Sequence, residues 1–355
     1  MTVAYLQNTL SGLLGLPPRI TQSHLSAVAP LLTPAATIAM IESILADQTL
    51  LDLVAGRSYT HSLGFRKITL LDPGFVLPDQ NGKRGNGYTV RLHIWESTSN
   101  DTEAAATVPL VEAKHEHSFD FISRILYGGM ETQCYTSEPL SAVETADLKY
   151  LLARLETLEE SQRRHVSRSM EALETMRLKA FGSAQADSEA INCALNDCDR
   201  NALQQLLAVD ADQLERMANL QGRYQYDLTA STFGGDYVHK LVHHVSLKPV
   251  LVKKLEAGDL YFHGHRLAHR LYMPANQPNA TLVITTQVSQ EAIGASFQHP
   301  TWFSGEHVGY PRRMYSSAEM RAILTEFKQR LLALSAAALR EKPTNLIDLE
   351  RTLLT

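Results

Sequence analysis

The stretch KHEHSFDFISRILYGG, residues 114–129, carries the most informative pattern in the chain. Its β-branched and aromatic residues are typical of a strand, and the two glycines at its end are typical of a tight turn. On a strand, His115 and His117 project from the same face because side chains alternate with a period of two. Two imidazoles on one face can bind a divalent metal if a third ligand comes from elsewhere. The stretch therefore predicts a β-structure that presents a metal site.

A second stretch, GDLYFHGHRLAHRL at residues 258–271, supplies candidates for the third ligand. Its composition predicts a turn, a strand, a second turn and a second strand. It contains His263, His265 and His269, and each is a candidate. Because the two stretches lie far apart in sequence, a shared site requires their strands to meet in one fold.

The remaining chain divides into helical and strand-like parts. Apolar residues at helical spacing predict helices in 1–56 and 141–222, and a helix that begins at Ser316 and runs to about Glu341, with a short last helix after Pro343. The Gly- and Pro-rich residues 72–87 predict a loop. Strands are expected at Phe65–Leu71, Tyr88–Trp95, 107–118, 121–128, 236–246, 248–256, 259–263, 268–273 and 281–288.

The strands on both sides of the 141–222 segment are expected to pair with each other, because two or three strands alone rarely form a stable sheet. We therefore predict a mainly β core with helices, of the α+β class, built as an antiparallel sandwich or barrel. The helical insert is interpreted as a packed surface excursion or a partner-binding arm. The expected segments are an N-terminal helical region (1–56), the first part of the barrel (57–140), the insert (141–222), the second part of the barrel with a loop (223–315) and C-terminal helices (316–355).

The composition narrows the function. The chain has 355 residues, 44% hydrophobic and 20% charged, which is ordinary for a globular protein. Its net charge of −5 gives no cationic field for nucleic acid, and no apolar run reaches the roughly 20 residues of a membrane span. Three cysteines and no basic residues before the first apolar stretch favour a cytoplasmic location. Glycine-rich phosphate loops and the Gly-x-Ser-x-Gly elbow are absent from the sequence.

The two histidine stretches resemble the two motifs of the cupin superfamily. His115 and His117 with the closing Gly128 and Gly129 match the first motif, and Gly258 with His269 eleven residues later matches the second. The resemblance covers about 58–135 and 236–288. It implies a cupin-type double-stranded β-barrel, with His115, His117 and His269 as metal ligands.

One departure from the cupin pattern points to a branch of the superfamily. The first motif normally contains an acid where this chain has Phe121 and Ile122. The thiol dioxygenases lack that acid and keep a three-histidine iron site, and the segments 58–65 and 91–95 resemble bacterial cysteine-dioxygenase-like proteins. This resemblance implies Fe(II) as the metal, with Ni, Mn and Zn as alternatives.

Arg91 is the candidate for substrate binding. It shares a strand face with His93, and a guanidinium buried in a barrel needs an anionic partner, which a substrate carboxylate would provide. In thiol dioxygenases an arginine on an early strand has this role. A structural pair with Asp120 is the alternative, and Arg124 and Arg270 are rivals. Tyr127 and Tyr261 are candidate catalytic phenols, with Tyr135 and Tyr272 as further options.

The sequence thus predicts a metal-dependent dioxygenase that oxidises a small carboxylate-bearing substrate, such as an amino acid or thiol, with O₂. Two alternatives remain: an isomerase or lyase that uses a redox-inert metal, and a non-catalytic ligand-binding or sensor protein. Small-molecule substrate and O₂ are the expected partners, without nucleic acid or membrane. The sequence leaves the oligomeric state open, with a homodimer as one option.

Overall fold

The computed structural model describes thirteen ranges of the chain. Most of the predicted loop at 72–87 lies outside these ranges. They are residues 2–15, 20–61, 65–73, 87–96, 110–182, 200–226, 238–265, 267–274, 277–287, 295–302, 307–308, 314–337 and 345–349.

The helices form three groups along the chain. The N-terminal group is α1 (Val3–Leu14), α2 (Leu25–Val28), α3 (Pro34–Ala46) and α4 (Gln48–Ala55). The insert contains α5 (Ala142–Glu156), α6 (Glu160–Lys179), α7 (Arg200–Leu207) and α8 (Ala211–Met217), and α9 (Ser317–Ala337) follows the last long strands. No single helix among the described ranges is long and apolar enough to cross a membrane. Only the bent pair Gln22–Leu32 and Pro34–Ala46, taken together, meets those criteria.

The strands form two sheets. In chain order they are β1 (Tyr59–Thr60), β2 (Arg66–Leu71), β3 (Tyr88–Trp95), β4 (Leu110–Val111), β5 (His115–Glu116), β6 (Phe119–Tyr127), β7 (Gly129–Pro139), β8 (Leu220–Tyr226), β9 (Val238–Glu256), β10 (Leu260–His263), β11 (Ala268–Met273), β12 (Asn279–Gln287), β13 (Ala295–Gln298), β14 (His307–Val308) and β15 (Leu346–Asp348).

The first sheet has the order β1–β2–β3–β12–β6–β10–β15. Its pairs are antiparallel except for β10 with β15, which are parallel. Val90, Leu92 and Ile94 of β3 face the N-terminal helices and α9, and they are buried in a shared core. Each such side chain stabilises the fold by about 1.5–3 kcal/mol, so this face attaches both helical groups to the sheet.

Six strands of the second sheet close into a ring. The order β7–β11–β5–β13–β8 continues through β9 back to β7. Closure is achieved because β9 is 19 residues long and pairs with β8 through its first half and with β7 through its second half. The expected α+β class is therefore confirmed, and six strands form a closed β-barrel, whereas β2, β3, β6, β10 and β12 belong to the separate first sheet.

The two sheets pack face to face. Phe121 and Ile125 of β6 in the first sheet share one buried cluster with Cys134 of β7 and Leu271 of β11 in the second. The period of two places their neighbours on the opposite faces, as Ile122 shows by joining the helix-facing core. The first sheet thus lies between helices and the second sheet.

The insert covers the other face of the second sheet. The insert helices α5 to α8, in the described residues, share a leucine-rich core. Leu178 of α6 also packs against Tyr135 of β7 and Phe297 of β13. The insert is therefore continuous with the barrel through α6.

Several predicted elements need correction. The residues after Pro343 form β15 at Leu346–Asp348, where a short helix was expected, because their backbone pairs with β10. The separate strands expected at 236–246 and 248–256 are one strand, β9, whose pairing with β7 shifts register next to Pro249. The prediction for α9 is confirmed at its start, where Ser316 and Glu319 cap the helix reciprocally.

Gly128, in the turn between β6 and β7, is expected not to tolerate alanine. Its φ of +80° is unfavourable for other residues, and a Cβ there would lie 2.5 Å from the Pro278 carbonyl oxygen. We expect Gly128→Ala to lower the free energy of unfolding by about 2–3 kcal/mol, measured by urea denaturation. The control is Gly12→Ala in α1, where a Cβ meets nothing within 4 Å and stability should rise by up to about 1 kcal/mol. Equal effects of the two variants would contradict this account of the turn.

Candidate metal centre

Three of the sequence-predicted histidines meet on the face of the second sheet that packs on the first. His115 of β5 pairs directly with His269 of β11, and His117 follows β5 by one residue. One ring nitrogen from each of the three lies within 4.8 Å of the others, and the His117 and His269 Nε2 atoms are 3.0 Å apart. The group could hold a metal ion.

The 3.0 Å separation fits two ligands of one ion. A metal–nitrogen distance of about 2.0–2.1 Å, with bond angles between octahedral and tetrahedral, places ligand nitrogens about 2.9–3.4 Å apart. The separation therefore matches shared coordination.

Two of the histidines have a partner that orients the ring. The Nδ1 atom of His115 lies 2.8 Å from the Ala113 carbonyl oxygen, which can only accept a hydrogen bond. Nδ1 is therefore the donor, and Nε2 keeps its lone pair for a metal. The Nδ1 atom of His269 lies 3.5 Å from the Thr132 hydroxyl, which leaves its Nε2 directed at His117. These partners are of the kind that hold metal-binding imidazoles in place.

Burial keeps these imidazoles neutral. It lowers the pKa of His115 and lowers the pKa of His117 and His269 well below the usual value of 6.5. The positive charge that each ring would carry on protonation depresses the pKa of its neighbours further. Metal ligands must be unprotonated, so the site is prepared for an ion at neutral pH.

A fourth imidazole adjoins the three. His263 of β10 comes from the opposite sheet, is fully buried, and has its ring centroid 4.2 Å from that of His269. It stacks on Phe121, and neither of its ring nitrogens has a hydrogen-bond partner of normal geometry among the described residues. Burial lowers its pKa to about 3. His263 therefore lies at the cluster together with His269, whereas the sequence offered it as an alternative to His269.

His265 is not part of this cluster. Its Nδ1 atom and its backbone amide both lie 2.8 Å from the Asp120 carboxylate. Asp120 is thereby engaged with His265. Glu116 points away from the histidine face, because side chains alternate along a strand, and it forms an ion pair with Arg223 of β8.

Two cationic side chains face the same inter-sheet space. The Arg91 side chain of β3 points to the opposite side of the sheet from that of Leu92, which faces the helices. The Arg91 guanidinium carbon lies 5.7 Å from the centroid of the Phe119 ring. Phe119 in turn stacks on His117, with the ring centroids 4.7 Å apart. Lys67 of β2 pairs with His93, and its charge helps to lower the pKa of His115 and His117. Two cationic side chains therefore lie near the histidines.

Arg124 and Arg270, the rivals of Arg91, lie on other faces. Arg124 donates to the Ala29 carbonyl on the helix side of the first sheet. Arg270 points from β11 towards α6, away from His269, and bonds Gln133. Neither faces the histidine cluster.

Tyr127 is placed away from the cluster, contrary to its selection as a catalytic phenol. In the pairing of β6 with β12, Ala280 lies opposite Tyr127, whereas the next residue, Thr281, lies opposite Ile125. The register therefore shifts between these two pairs. This bulge turns Tyr127 to the helix side, where its ring packs on Phe327 of α9. Strict alternation from Ile125 would have placed it between the sheets.

Tyr261 lies between the sheets, as a site residue should. It belongs to the inter-sheet cluster and its ring contacts that of Phe121 edge-on, with the centroids 5.9 Å apart. Burial raises the pKa of its phenol, so the group stays protonated. Tyr261 is therefore available as a neutral hydrogen-bond donor or acceptor.

Glu112 is a further residue of the inter-sheet space, and the sequence did not predict it. Its backbone amide donates a hydrogen bond to the Leu271 carbonyl, which continues the pairing of Val111 with Tyr272 by one residue. Glu112 therefore lies opposite Leu271, and both side chains point to the inter-sheet face. It is 6% exposed, and burial raises its pKa to about 8, although Lys67 opposes the shift. A carboxyl that is mostly protonated at neutral pH does not cancel the charges of Arg91 and Lys67. Its three-residue spacing from His115 was the only available signal.

In comparisons with protein-family models, curated proteins and solved structures, the chain matches none of them. The case for function therefore rests on the site.

Proposed function

We propose that the chain is a cupin-type, Fe(II)-dependent oxygenase that oxidises a small carboxylate-bearing substrate, such as an amino acid or thiol, with O₂. His115, His117 and His269 would hold the ion. The observation that carries the proposal is the convergence of these three neutral imidazoles, with no acidic ligand in the group, beside the cations Arg91 and Lys67. Ni, Mn and Zn remain alternative metals.

A three-imidazole donor set suits this chemistry. When bound, Fe(II) supplies an uncompensated divalent charge and open coordination positions at which substrate and O₂ can be activated. The residues present fit such an ion because their nitrogens converge and their pKa values keep them unprotonated.

Arg91 would bind and orient the substrate. Its guanidinium can hold a carboxylate through two parallel hydrogen bonds, which fixes both position and angle. The Phe119 ring contacts both the Arg91 guanidinium and the His117 ring, so a small molecule held by Arg91 would reach the histidine cluster with its other end. Binding in one orientation supplies the proximity on which the reaction depends.

Aromatic rings would exclude water around the histidines. Phe119 and Phe121 both contact the His117 ring, and Phe121 stacks on His263. In such an apolar surrounding the charge of Arg91 acts on a bound anion more strongly than it would in water. The neutral phenol of Tyr261 can donate a hydrogen bond within the same space.

Oxygen consumption tests the proposal. The protein would be loaded anaerobically with Fe²⁺ or Zn²⁺ and surveyed against amino acids and small thiols in an oxygen electrode. We expect substrate-dependent O₂ uptake with Fe²⁺ and none with Zn²⁺. Turnover without O₂ would replace the oxygenase with an isomerase or lyase, and tight binding without turnover would indicate a sensor or binding protein.

Replacing Arg91 is expected to affect substrate binding. In the Fe²⁺-loaded protein, Arg91→Ala should raise KM by about 10- to 100-fold, the equivalent of the roughly 1.5–3 kcal/mol of a charge-assisted hydrogen bond. Metal content should stay unchanged, because Arg91 contributes no ligand. Arg66→Ala is the matched control, since Arg66 on the neighbouring strand pairs with Glu96. An unchanged KM for Arg91→Ala would remove Arg91 from the substrate site.

A further inference from the structure

Each of the two paired histidines has a cationic neighbour in sequence. Lys114 precedes His115, and Arg270 follows His269. Because side chains alternate along a strand, both cations point to the face of the second sheet opposite the histidines. Both are buried there, 9% and 5% exposed. Whatever fixes these two cations therefore also fixes the backbone that carries the two imidazoles.

One carboxylate of the insert contacts both cations. Glu174 of α6 accepts a hydrogen bond from Lys114 Nζ at 2.6 Å on one oxygen, and its other oxygen lies 3.7 Å from an Arg270 nitrogen. The second oxygen also accepts from the Tyr135 hydroxyl of β7 at 3.0 Å. Glu174 is 8% exposed, so water does not screen these contacts. A single helix residue thus bridges β5, β11 and β7.

The charges in this cluster depend on one another. Although burial alone would raise the pKa of Glu174, Lys114 and Arg270 lower it to about 2, so the carboxylate is ionised. On the other side of Arg270, Gln133 bonds the guanidinium and donates to Glu131. Glu171 acts electrostatically on both cations and Glu131 on Arg270, but Glu174 is the carboxylate that contacts both. Removing its charge weakens the attachment of the two strands to α6 and favours their movement.

We propose that Glu174 is a positioning residue for the metal site, and that the helical insert sets the separation of His115 and His269 through it. The proposal rests on metal binding by the histidine cluster as proposed above. Glu174 touches neither the ion nor a substrate. It holds β5 and β11 in the register in which His115 lies opposite His269. Ligand geometry and metal affinity are therefore coupled to the seating of α6 on the barrel.

Glu174→Gln tests this coupling, with Glu144→Gln as a matched control. Glu144 belongs to the same insert, is equally buried at 8% exposed, and bonds Ser246 of β9, a strand without a histidine of the cluster. Co²⁺ serves as the probe because its visible absorption reports ligand geometry. We expect Glu174→Gln to raise the dissociation constant for Co²⁺ by about 10- to 100-fold, the range for partners that orient metal ligands, and to alter the spectrum. Glu144→Gln should change neither.

Hydrogen exchange provides a readout in the metal-free protein. Amides of 113–117 and 268–272 should exchange faster in Glu174→Gln than in Glu144→Gln. If Glu174→Gln is insoluble, Glu174→Asp keeps the charge on a shorter side chain and should bind Co²⁺ measurably more weakly than the wild type.

The outcomes separate the two proposals. Wild-type affinity and spectrum in Glu174→Gln, or in Glu174→Asp if only that variant folds, would overturn the positioning role and leave the metal site intact. An equal loss in Glu144→Gln would also overturn it, since any loosening of the insert would then suffice. Failure of the wild-type protein to bind Co²⁺ would overturn the metal site and the positioning role together.

Discussion

Replacing His269 with alanine is expected to abolish stoichiometric metal binding. The variant should contain less than about one tenth of an ion per chain where the wild type holds one, because it loses the nitrogen that lies 3.0 Å from that of His117. We expect affinity to fall by more than the roughly 10- to 100-fold caused by removing a partner of a ligand. Metal content would be measured by elemental analysis after dialysis, and far-UV circular dichroism should show a retained fold.

His265→Ala is the matched control for that experiment. His265 comes from the same stretch of chain, but Asp120 holds it outside the cluster. Its removal should leave one ion bound. Full metal content in His269→Ala would exclude His269 as a ligand, and His263, whose ring lies beside it, would become the candidate.

The metal-free protein is expected to lose stability steeply as the pH falls below about 6.5. Burial lowers the pKa of His263 to about 3 and that of His299 to about 4, and it lowers the pKa of His93, His117 and His269 well below the usual value. In the unfolded chain these groups titrate near 6.5. Between that pH and the folded pKa the unfolded state binds more protons, so acid favours unfolding.

The expected slope is large. Each such histidine contributes up to about 1.4 kcal/mol per pH unit, and several act together, so the free energy of unfolding should fall by several kcal/mol between pH 6.5 and 5.5. Glu112 has the opposite pH dependence and offsets the contribution of about one histidine. Its pKa is raised to about 8, so its contribution to stability is lost as the pH rises from about 4.5 to 8 and is regained as the pH falls. Above pH 6.5 the histidine contribution is fully present.

Urea unfolding at pH 7.5, 6.5 and 5.5 would measure this dependence. His263→Leu should reduce the slope by up to about 1.4 kcal/mol per pH unit, since it removes one buried imidazole whose ring nitrogens have no hydrogen-bond partner of normal geometry in the described part of the chain. Stability that is constant from pH 7.5 to 5.5 would contradict the burial of neutral histidines.

The local sequence predicted those strands in which apolar residues occupy one face and polar residues the other. Tyr88–Trp95 was predicted with the bounds that β3 has, because its apolar residues face the helices at every second position. Strand β7, Gly129–Pro139, was not predicted from the sequence as a separate strand. Glu131 and Gln133 on its far face belong to the buried polar cluster under α6, so a strand with two buried faces shows no apolar alternation.

The histidine pair was predictable, whereas the rest of the site depended on tertiary structure. The period of two placed His115 and His117 together, and the spacing from Gly258 selected His269. His263 approaches from the other sheet, and no local pattern shows which sheets face each other. Glu174 lies in a helix about 60 residues after Lys114, and a single acidic residue in a helix does not indicate a role at a distant site.

Metal content of the untagged wild-type protein would show whether the three histidines form a metal site. After anaerobic exposure to Fe²⁺ and removal of free metal, we expect close to one ion per chain by elemental analysis, and the same stoichiometry with Co²⁺. Less than about one tenth of an ion per chain with either metal would contradict a site formed by His115, His117 and His269.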